Sequence, residues 1–236
     1  MSIQSNVPTS QAVVVGGTGS IGAACAEEFS RRRPDVDVVI LGRASEPDID
    51  LLSEESISRA AAWVSSRQLP VSVVLVATGI LHTKVVQPEK TWRQINQQAL
   101  DSLFRVNAIG PMLVMKHFLP LLPRLEKSVF ACLSARVGST TDNELGGWYG
   151  YRASKAALNQ FVKTASIELS RTRPQAICMA IHPGTVATGL SDPFSKNGLN
   201  VLTPRNCAKR LYKLISEADV GDNGGFFDYE KRKIPW

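Results

Sequence analysis

The chain has 236 residues and a formal net charge of +6, with 44% hydrophobic and 20% charged residues. This composition is typical of a globular protein and excludes a disordered chain or a collagen. A chain of this length buries a large core, and we expect a single domain over 1–236. The four cysteines form no CxxC pair and the first residues form no signal peptide. We therefore expect a cytoplasmic protein with free thiols, no membrane span and no nucleic-acid partner.

Short apolar runs alternate along the chain with segments of helical periodicity. The runs predict strands at 12–15, 36–41, 73–77, 129–133 and 176–181, with a last strand near 225–227. Helices are predicted at 20–32, 54–67, 91–122, 151–171 and 204–217. Wholly apolar strands suit a parallel sheet that helices cover on both faces. We predict an α/β fold with a doubly wound, mostly parallel sheet of the Rossmann type, whose ligands bind beyond the carboxyl ends of the strands.

The first predicted strand leads into a glycine-rich turn, VVVGGTGSIG, at 13–22. It contains both GxGxxG and GxxGxxG. Glycine suits a tight turn whose backbone approaches a pyrophosphate, and the helix that follows offers N–H groups to the phosphates. The alternative is a tight structural turn, but the strand–loop–helix context favours a dinucleotide. The predicted binding residues of the loop are Gly16, Gly17, Thr18, Gly19, Ser20, Ile21 and Gly22.

The end of the second predicted strand indicates which dinucleotide is bound. An acidic residue that would bind a ribose 2′-OH is absent there, and Arg43 is present. A planar guanidinium suits a 2′-phosphate, so we expect NADP(H) in preference to NAD(H). The alternative is a solvated surface arginine. Asp50 and Leu51 follow after a short connection and either meet the adenine edge or cap the next helix.

A tyrosine and a lysine define a second candidate site. Tyr151 and Lys155, in the segment YRASK, lie four residues apart and therefore on one face of a predicted helix. A nearby ammonium favours the phenolate and lowers the pKa of a tyrosine. Such a pair would exchange a proton with a substrate oxygen near neutral pH. The alternative is a solvated helix face.

These motifs and three others occur in the order found in the short-chain dehydrogenase/reductase family, which the chain resembles from 12 to 188. The others are Asn107 in VNAIG, the serine segment LSARVGS at 133–139 and the segment HPGTVAT at 182–188. The run GGWYGYRASKAALN at 146–159 further resembles the branch of C-factor signalling proteins and sniffer-like carbonyl reductases.

The resemblance implies an NADP(H)-dependent oxidoreductase that acts on a small carbonyl or alcohol compound. It implies that Tyr151 is the general acid and base, that Lys155 holds the ribose hydroxyls and lowers the pKa of Tyr151, and that Asn107 supports a proton relay by interrupting a long helix. It also implies further cofactor contacts from Ala77, Thr78, Gly79, Pro183, Gly184, Val186 and Thr188. The family's subunits suggest a homo-oligomer, a dimer or tetramer, built through the predicted helices 91–122 and 151–171.

The serine segment departs from the family pattern. The catalytic serine usually stands three residues before the glycine, where this chain has Ala135. We expect Ser134, or as a second candidate Ser139, to hold the substrate oxygen. Strand side chains alternate, so Ser134 and Ala135 cannot both face the substrate. Ala135 favours a rival hypothesis, a weakly catalytic or non-catalytic signalling protein that binds the dinucleotide as a sensor. A structural subunit without a ligand fits the glycine loop poorly.

Two further expectations concern substrate and metal. The segment 190–202 is expected to be a substrate lid that, with Trp148 and Tyr149, shapes a pocket for an apolar or aromatic carbonyl compound. His82 and His117 have no partner spacing, so no metal site is expected.

Overall fold

The computed structural model describes residues 8–83, 86–189 and 201–236. Six strands form one parallel sheet: β1 (Ser10–Val15), β2 (Val36–Leu41), β3 (Val71–Val76), β4 (Ser128–Leu133), β5 (Ala176–His182) and β8 (Phe226–Asp228). Two short strands, β6 (Thr185–Val186) and β7 (Val201–Leu202), pair separately. The order in the sheet is β2-β1-β3-β4-β5-β8, and all five pairings are parallel. The predicted fold class is therefore confirmed.

The helices are α1 (Ser20–Arg32), α2 (Glu54–Ser66), α3 (Gln97–Phe104), α4 (Gly110–Phe118), α5 (Tyr149–Thr172) and α6 (Pro204–Ser216). The predicted bounds of α1 are correct, and those of α2 and α6 are within one residue. Helix α5 begins two residues before its predicted start. The described residues include no helix that is both long and apolar enough to cross a membrane.

The predicted helical segment 91–122 is divided into several pieces, and one division lies at Asn107, where the family resemblance implies an interruption. Trp92–Gln94 form an isolated 3-10 turn, and α3 begins only after Asn96, whose Oδ1 accepts a hydrogen bond from Ala99 N at 3.1 Å. Between α3 and α4 the backbone of Arg105–Ile109 forms a π-helical turn. Hydrophobic periodicity does not predict these boundaries, because they are set by side-chain caps and by the hydrogen bonds of Asn107.

Both faces of the sheet are covered, which accounts for the wholly apolar strands. Val13 and Val15 belong to a core cluster with residues of α2, α4 and α5, whereas Val14 packs with residues of α1 and α6. This alternation follows from the period of two in a strand. Cys25, Cys132 and Cys178 are buried free thiols, as predicted, and so is Cys207.

The sheet topology creates a crevice at the carboxyl end of β1. The chain passes from β1 outward to β2 and returns on the other side of β1 as β3. The loops that leave β1 and β3 therefore diverge, and a crevice at such a reversal is where α/β sheets bind ligands. Strand β2 is an edge strand of the sheet. The short connection at 42–53 takes the chain directly from β2 to α2.

Candidate active site

The glycine loop is pinned to the neighbouring strand. The amides of Gly16 and Gly17 donate to Leu41 O at 2.7 and 3.1 Å, and Gly16 has a φ of +83°. A Cβ at Gly22 would collide with the carbonyl of Gly16, so glycine is required where α1 packs on the loop. Gly19, the N-cap of α1, has no side chain to satisfy the first N–H groups of the helix. These groups are available to an anion.

The crevice beside this loop has a volume of about 310 Å³. Nine of the predicted cofactor residues line it: Gly16, Thr18, Gly19, Arg43, Asp50, Leu51, Ala77, Thr78 and Gly79. Val15, Gly42, Ile49, Leu52, Ile80 and Val106 also line it and were not predicted. Their only sequence signal is that each lies beside a predicted motif. Four predicted residues of the glycine loop do not line the crevice: Gly17, Ser20, Ile21 and Gly22. The individual binding roles stay predictions.

The crevice has features that suit a dinucleotide. Thr78 Oγ1 is buried and has no hydrogen-bond partner among the described residues. A buried polar atom of this kind costs free energy unless a ligand or water satisfies it. Arg43 is exposed at the rim. Backbone amides at one end and a guanidinium at another match the charge distribution of a phosphorylated dinucleotide.

Asp50 does not cap the helix that follows it. Ser53 caps α2, because its Oγ accepts a hydrogen bond from Ser56 N at 3.2 Å. Asp50 Oδ1 instead accepts from Leu52 N at 3.0 Å, within its own turn. Of the two alternatives drawn from the sequence, the structure excludes the cap.

Tyr151 and Lys155 lie on one face of α5 and are both buried. Lys155 Nζ donates to Leu133 O at 2.9 Å and lies 6.0 Å from the centroid of the Tyr151 ring. Burial lowers the pKa of Lys155 to about 8. Burial also raises the pKa of Tyr151 above its usual value. The expectation that Lys155 lowers the pKa of Tyr151 is not met in this structure, because desolvation of the phenolate is the dominant effect.

Asn107 lies in the π-helical turn and connects three parts of the site. Its Oδ1 accepts from Ile80 N and its Nδ2 donates to Ile80 O, both at 2.8 Å. Nδ2 also contacts Ser154 Oγ at 3.1 Å. A Cβ at Gly79 would lie 3.2 Å from Lys155 Nζ and 3.3 Å from Asn107 Oδ1. Gly79, Asn107 and Lys155 therefore meet at one point beside the crevice, while the proton relay stays a prediction.

The surroundings of Tyr151 are apolar. Leu81, Val86, Leu103 and Ala135 are buried against it, and Ile80, Ala99, Val137 and Trp148 pack on this cluster. The Trp148 and Tyr151 rings meet edge to face, with centroids 6.2 Å apart. Tyr149 instead lines a separate crevice with Ser139 and Arg152. Trp148 therefore adjoins Tyr151 whereas Tyr149 lines a different crevice, and the predicted substrate pocket stays a prediction.

Neither candidate serine directs its hydroxyl to Tyr151 in the described structure. Ser134 Oγ donates to Asn159 Oδ1 at 2.6 Å, and Asn159 lies two helical turns from Tyr151, about 12 Å along the axis. Ser139 Oγ accepts from Asp142 N at 3.1 Å. Ala135 belongs to the apolar cluster that contains Tyr151. The Ser134 hydroxyl is turned to Asn159 in this structure, and its predicted role at the substrate oxygen stays a prediction.

The segment after β5 contributes backbone to this end of the sheet. Gly184 has a φ of +83°, and a Cβ there would approach the Tyr229 ring to 2.6 Å. Val186 is buried in the core with residues of α6, so its side chain serves packing. The cofactor contacts predicted for Pro183, Gly184, Val186 and Thr188 stay predictions. Residues 190–200 of the expected lid lie outside the described residues, and Val201–Leu202 pair with β6.

Sequence reasoning missed Glu89, whose carboxylate is buried at the start of α5. Both of its carboxylate oxygens lie 3.3 Å from Gly150 N. A glutamate in a polar segment gives no sign of burial, so only its proximity to α5 in space reveals it.

Comparison of the sequence with known proteins gives three results. The sequence matches the family model for short chain dehydrogenases over residues 43–198, more than half of the chain, beginning after the glycine loop. It is 27% identical to 1-hydroxy-2-glutathionyl-2-methyl-3-butene dehydrogenase of Rhodococcus sp. (strain AD45), over 96% of this chain and 100% of that protein. It is 34% identical to the C-signal of Myxococcus xanthus, over 56% of this chain and 76% of that protein.

Comparison with solved structures also finds a short-chain dehydrogenase/reductase among the similar chains. A protein of Burkholderia multivorans assigned to the short-chain dehydrogenases/reductases, solved with bound NADP, is 26% identical over 97% of this chain and all of that chain, with a TM-score of 0.80. The carbonyl reductase Sniffer of D. melanogaster has a TM-score of 0.75 at 19% identity, over 97% of this chain and all of that chain. The NADPH-bound carbonyl reductase from chicken fatty liver has a TM-score of 0.77 at 20% identity, over 98% of this chain and all of that chain. At these identities the last two show the fold alone.

Proposed function

Because this chain belongs to the short chain dehydrogenase family, we propose that it is an NADP(H)-dependent oxidoreductase that interconverts small carbonyl and alcohol compounds. The observation that carries the proposal is the buried Tyr151–Lys155 pair on α5. Lys155 meets Gly79, which lines the crevice, so the pair adjoins the space in which we place the dinucleotide.

The N–H groups at the start of α1 would hold the pyrophosphate. The dinucleotide would give the buried Thr78 hydroxyl the hydrogen bond that it does not form with the described residues. Arg43 would pair with a 2′-phosphate, which is the basis for preferring NADP(H) over NAD(H). The bound NADP of the Burkholderia multivorans protein supports this assignment. The chemistry that such a dinucleotide supplies when bound is the donation or acceptance of a hydride.

Tyr151 would donate its phenolic proton to the substrate oxygen as negative charge develops there. Burial raises the pKa of Tyr151, so the phenol is protonated at neutral pH and is suited to act as an acid in carbonyl reduction. Burial lowers the pKa of Lys155 to about 8, so at neutral pH most of these side chains carry the ammonium that stabilises the phenolate left after proton transfer.

The substrate class follows from the side chains around the phenol. The cluster of Leu81, Val86, Ala135 and Trp148 presents hydrocarbon to a group bound there. Such a surface rewards burial of apolar groups and penalises unpaired polar ones. We therefore propose an aldehyde or ketone with an apolar or aromatic substituent.

The test is Tyr151→Phe, assayed by NADPH oxidation with a panel of aliphatic and aromatic aldehydes and ketones. We expect turnover to fall at least about 100-fold, the usual contribution of a positioned acid, with the dissociation constant of NADPH changed less than two-fold. The control is Tyr149→Phe, two residues before Tyr151, which should retain turnover. Turnover retained by Tyr151→Phe would refute the role of Tyr151, and tighter binding of NADH than NADPH would refute that of Arg43.

A second candidate is a dinucleotide-binding signalling protein with weak or no turnover. It is favoured by Ala135 at the position where the family usually has its catalytic serine, by the Ser134 hydroxyl being turned to Asn159, and by the similarity to the C-signal. The loss of one donor to an oxyanion typically costs a factor of about 100 to 1,000 in rate. NADPH binding without turnover of any carbonyl in the panel would establish this function instead.

A further inference from the structure

Four carboxyl side chains are buried in the described part of the chain: Glu28, Glu89, Asp222 and Asp228. Three of them form ion pairs, with Arg31 and Arg32 for Glu28, Lys231 for Asp222, and Arg232 for Asp228. Glu89 forms no ion pair within residues 8–83, 86–189 and 201–236, although only 3% of its surface is exposed. A buried carboxylate is costly without compensating contacts, so its environment requires a specific explanation.

Glu89 contacts the backbone at the start of α5 from two directions. Its main-chain oxygen accepts a hydrogen bond from Trp148 N at 2.5 Å, and its two carboxylate oxygens face Gly150 N at 3.3 Å. The N–H groups of a first helical turn have no partner inside the helix. A negative charge is also favourable at that end of the helix dipole. A Cβ on Gly150 would lie 3.0 Å from Glu89 Oε1, so a glycine suits this position.

The segment that enters α5 is held in an unfavourable backbone conformation. Gly146, Gly147 and Trp148 have φ values of +61°, +65° and +53°. The left-handed region is ordinary for glycine but is strained for a bulky residue such as tryptophan. Contacts on both sides maintain it: Glu89 O binds Trp148 N, and Arg152 Nε and Nη2 donate to the carbonyls of Gly147 and Gly146 at 3.0 and 3.1 Å.

This arrangement determines the position of Tyr151. Tyr151 directly follows Gly150, and the Trp148 indole meets its ring edge to face at 6.2 Å. We propose that Glu89 is a positioning residue for the reaction. It fixes the first turn of α5 and the Trp148 indole together, and so sets where the phenol and the apolar wall meet a bound carbonyl compound. The inference rests on the proposed function of Tyr151 as proton donor.

The experiment compares Glu89→Ala and Glu89→Gln in the full chain. We expect Glu89→Ala to lower kcat at least ten-fold while the dissociation constant of NADPH changes less than two-fold. Glu89→Gln should recover most of the lost kcat, because its amide oxygen can still accept from Gly150 N. The matched control is Glu28→Gln, which removes a buried carboxylate from α1 and should lower Tm with kcat within two-fold of the wild type.

A merely structural role gives a different pattern. If Glu89→Ala lowered Tm as Glu28→Gln does but left kcat unchanged, the proposal would be overturned. Trp148→Gly separates the two parts of the arrangement, since glycine keeps the left-handed backbone and removes the indole. That variant should raise KM for aromatic carbonyls at least five-fold and lower kcat less than Glu89→Ala does. An unchanged KM would remove the indole from the proposal.

A second readout is independent of turnover. Hydrogen exchange of the Gly150 amide, followed by NMR in the cofactor-free protein, should accelerate at least ten-fold in Glu89→Ala and less in Glu89→Gln. If the wild type reduces no carbonyl compound, the proposed function fails, while exchange at Gly150 still reports whether Glu89 fixes this turn. Unchanged exchange in Glu89→Ala would overturn the positioning role even in an active enzyme.

Discussion

Lys155 illustrates what the sequence predicts of a single residue and what it does not. The four-residue spacing on a helix correctly placed its ammonium near Tyr151, at 6.0 Å from the ring centroid. The direction of the pKa shift of Tyr151 was wrong. The pKa of Tyr151 depends on how completely the surrounding chain excludes water, and those surroundings come from the segment after β3, from α3 and from the segment after β4, all distant in sequence.

The buried Lys155 predicts a pH-dependent stability in the cofactor-free protein. Its pKa is about 8 in the folded state and about 10.4 in an unfolded chain. Between these values the unfolded state binds more protons, so the free energy of unfolding rises with pH across that window. Below pH 8 both states are protonated and the cost of the buried ammonium is fully present.

We expect Lys155→Met to abolish this contribution. The stability of the wild type relative to the variant should increase by on the order of 2 kcal/mol between pH 7.5 and pH 10, at about 1.4 kcal/mol per pH unit. Urea denaturation at the two pH values measures it. The control is Lys163→Met, which removes an exposed lysine of the same helix and should track the wild type. A pH-independent difference for Lys155→Met would contradict the burial of a titrating ammonium.

At the scale of elements, the predictions from sequence were accurate where the residues that determine a helix, strand or loop lie close together in the chain. The unit from β1 through the glycine loop to α1 was predicted almost to the residue, because an apolar run, a glycine cluster and a periodic segment follow one another directly. The predicted helical segment 91–122 is several pieces, of which only the interruption at Asn107 was expected. Its π-helical turn coincides with Asn107, whose amide binds the backbone of Ile80, 27 residues away.

The glycine loop provides a matched pair of substitutions. Alanine is favoured over glycine in a helix by about 1 kcal/mol, but a Cβ at Gly22 would collide with the carbonyl of Gly16. The clash should dominate, so Gly22→Ala should lower the free energy of unfolding by about 1–3 kcal/mol and weaken NADPH binding at least ten-fold. At Gly19 a Cβ meets only Gly16 O, at 3.4 Å, so Gly19→Ala should fold with nearly the wild-type Tm. Equal thermal stability of the two variants would contradict the packing described for α1.

At the scale of the whole molecule, α4 and α5 leave an apolar groove of about 390 Å³ on the outside of the sheet. Met112, Met115, Leu119 and Phe161 contribute its apolar lining. The groove lies on the helices through which the family resemblance suggested a homo-oligomer. Partly exposed apolar side chains along two adjacent helices are what a subunit interface buries.

We therefore predict a dimer through this face. Met112→Glu should weaken it at least ten-fold, because a charge would be buried without a partner, with the mass distribution measured by sedimentation velocity across a concentration series. Leu125→Glu is the control, since Leu125 is highly exposed and lies outside this groove. A monomeric wild type, or a dimer insensitive to Met112→Glu, would exclude this interface.

The sequence by itself determined the alternation of strands and helices, the parallel sheet, the glycine loop and the Tyr151–Lys155 spacing, because each depends on neighbours within a few residues. The prediction of a single domain is neither confirmed nor excluded by the sheet order. Only the tertiary structure decided that Ser134 donates to Asn159 while Ala135 packs in the cluster around Tyr151. The same holds for the Thr78 hydroxyl, which is buried without a hydrogen-bond partner among the described residues, and for the Glu89 carboxylate, which contacts the start of α5. Each of these depends on contacts between segments distant in sequence, and on the exclusion of water that those contacts produce.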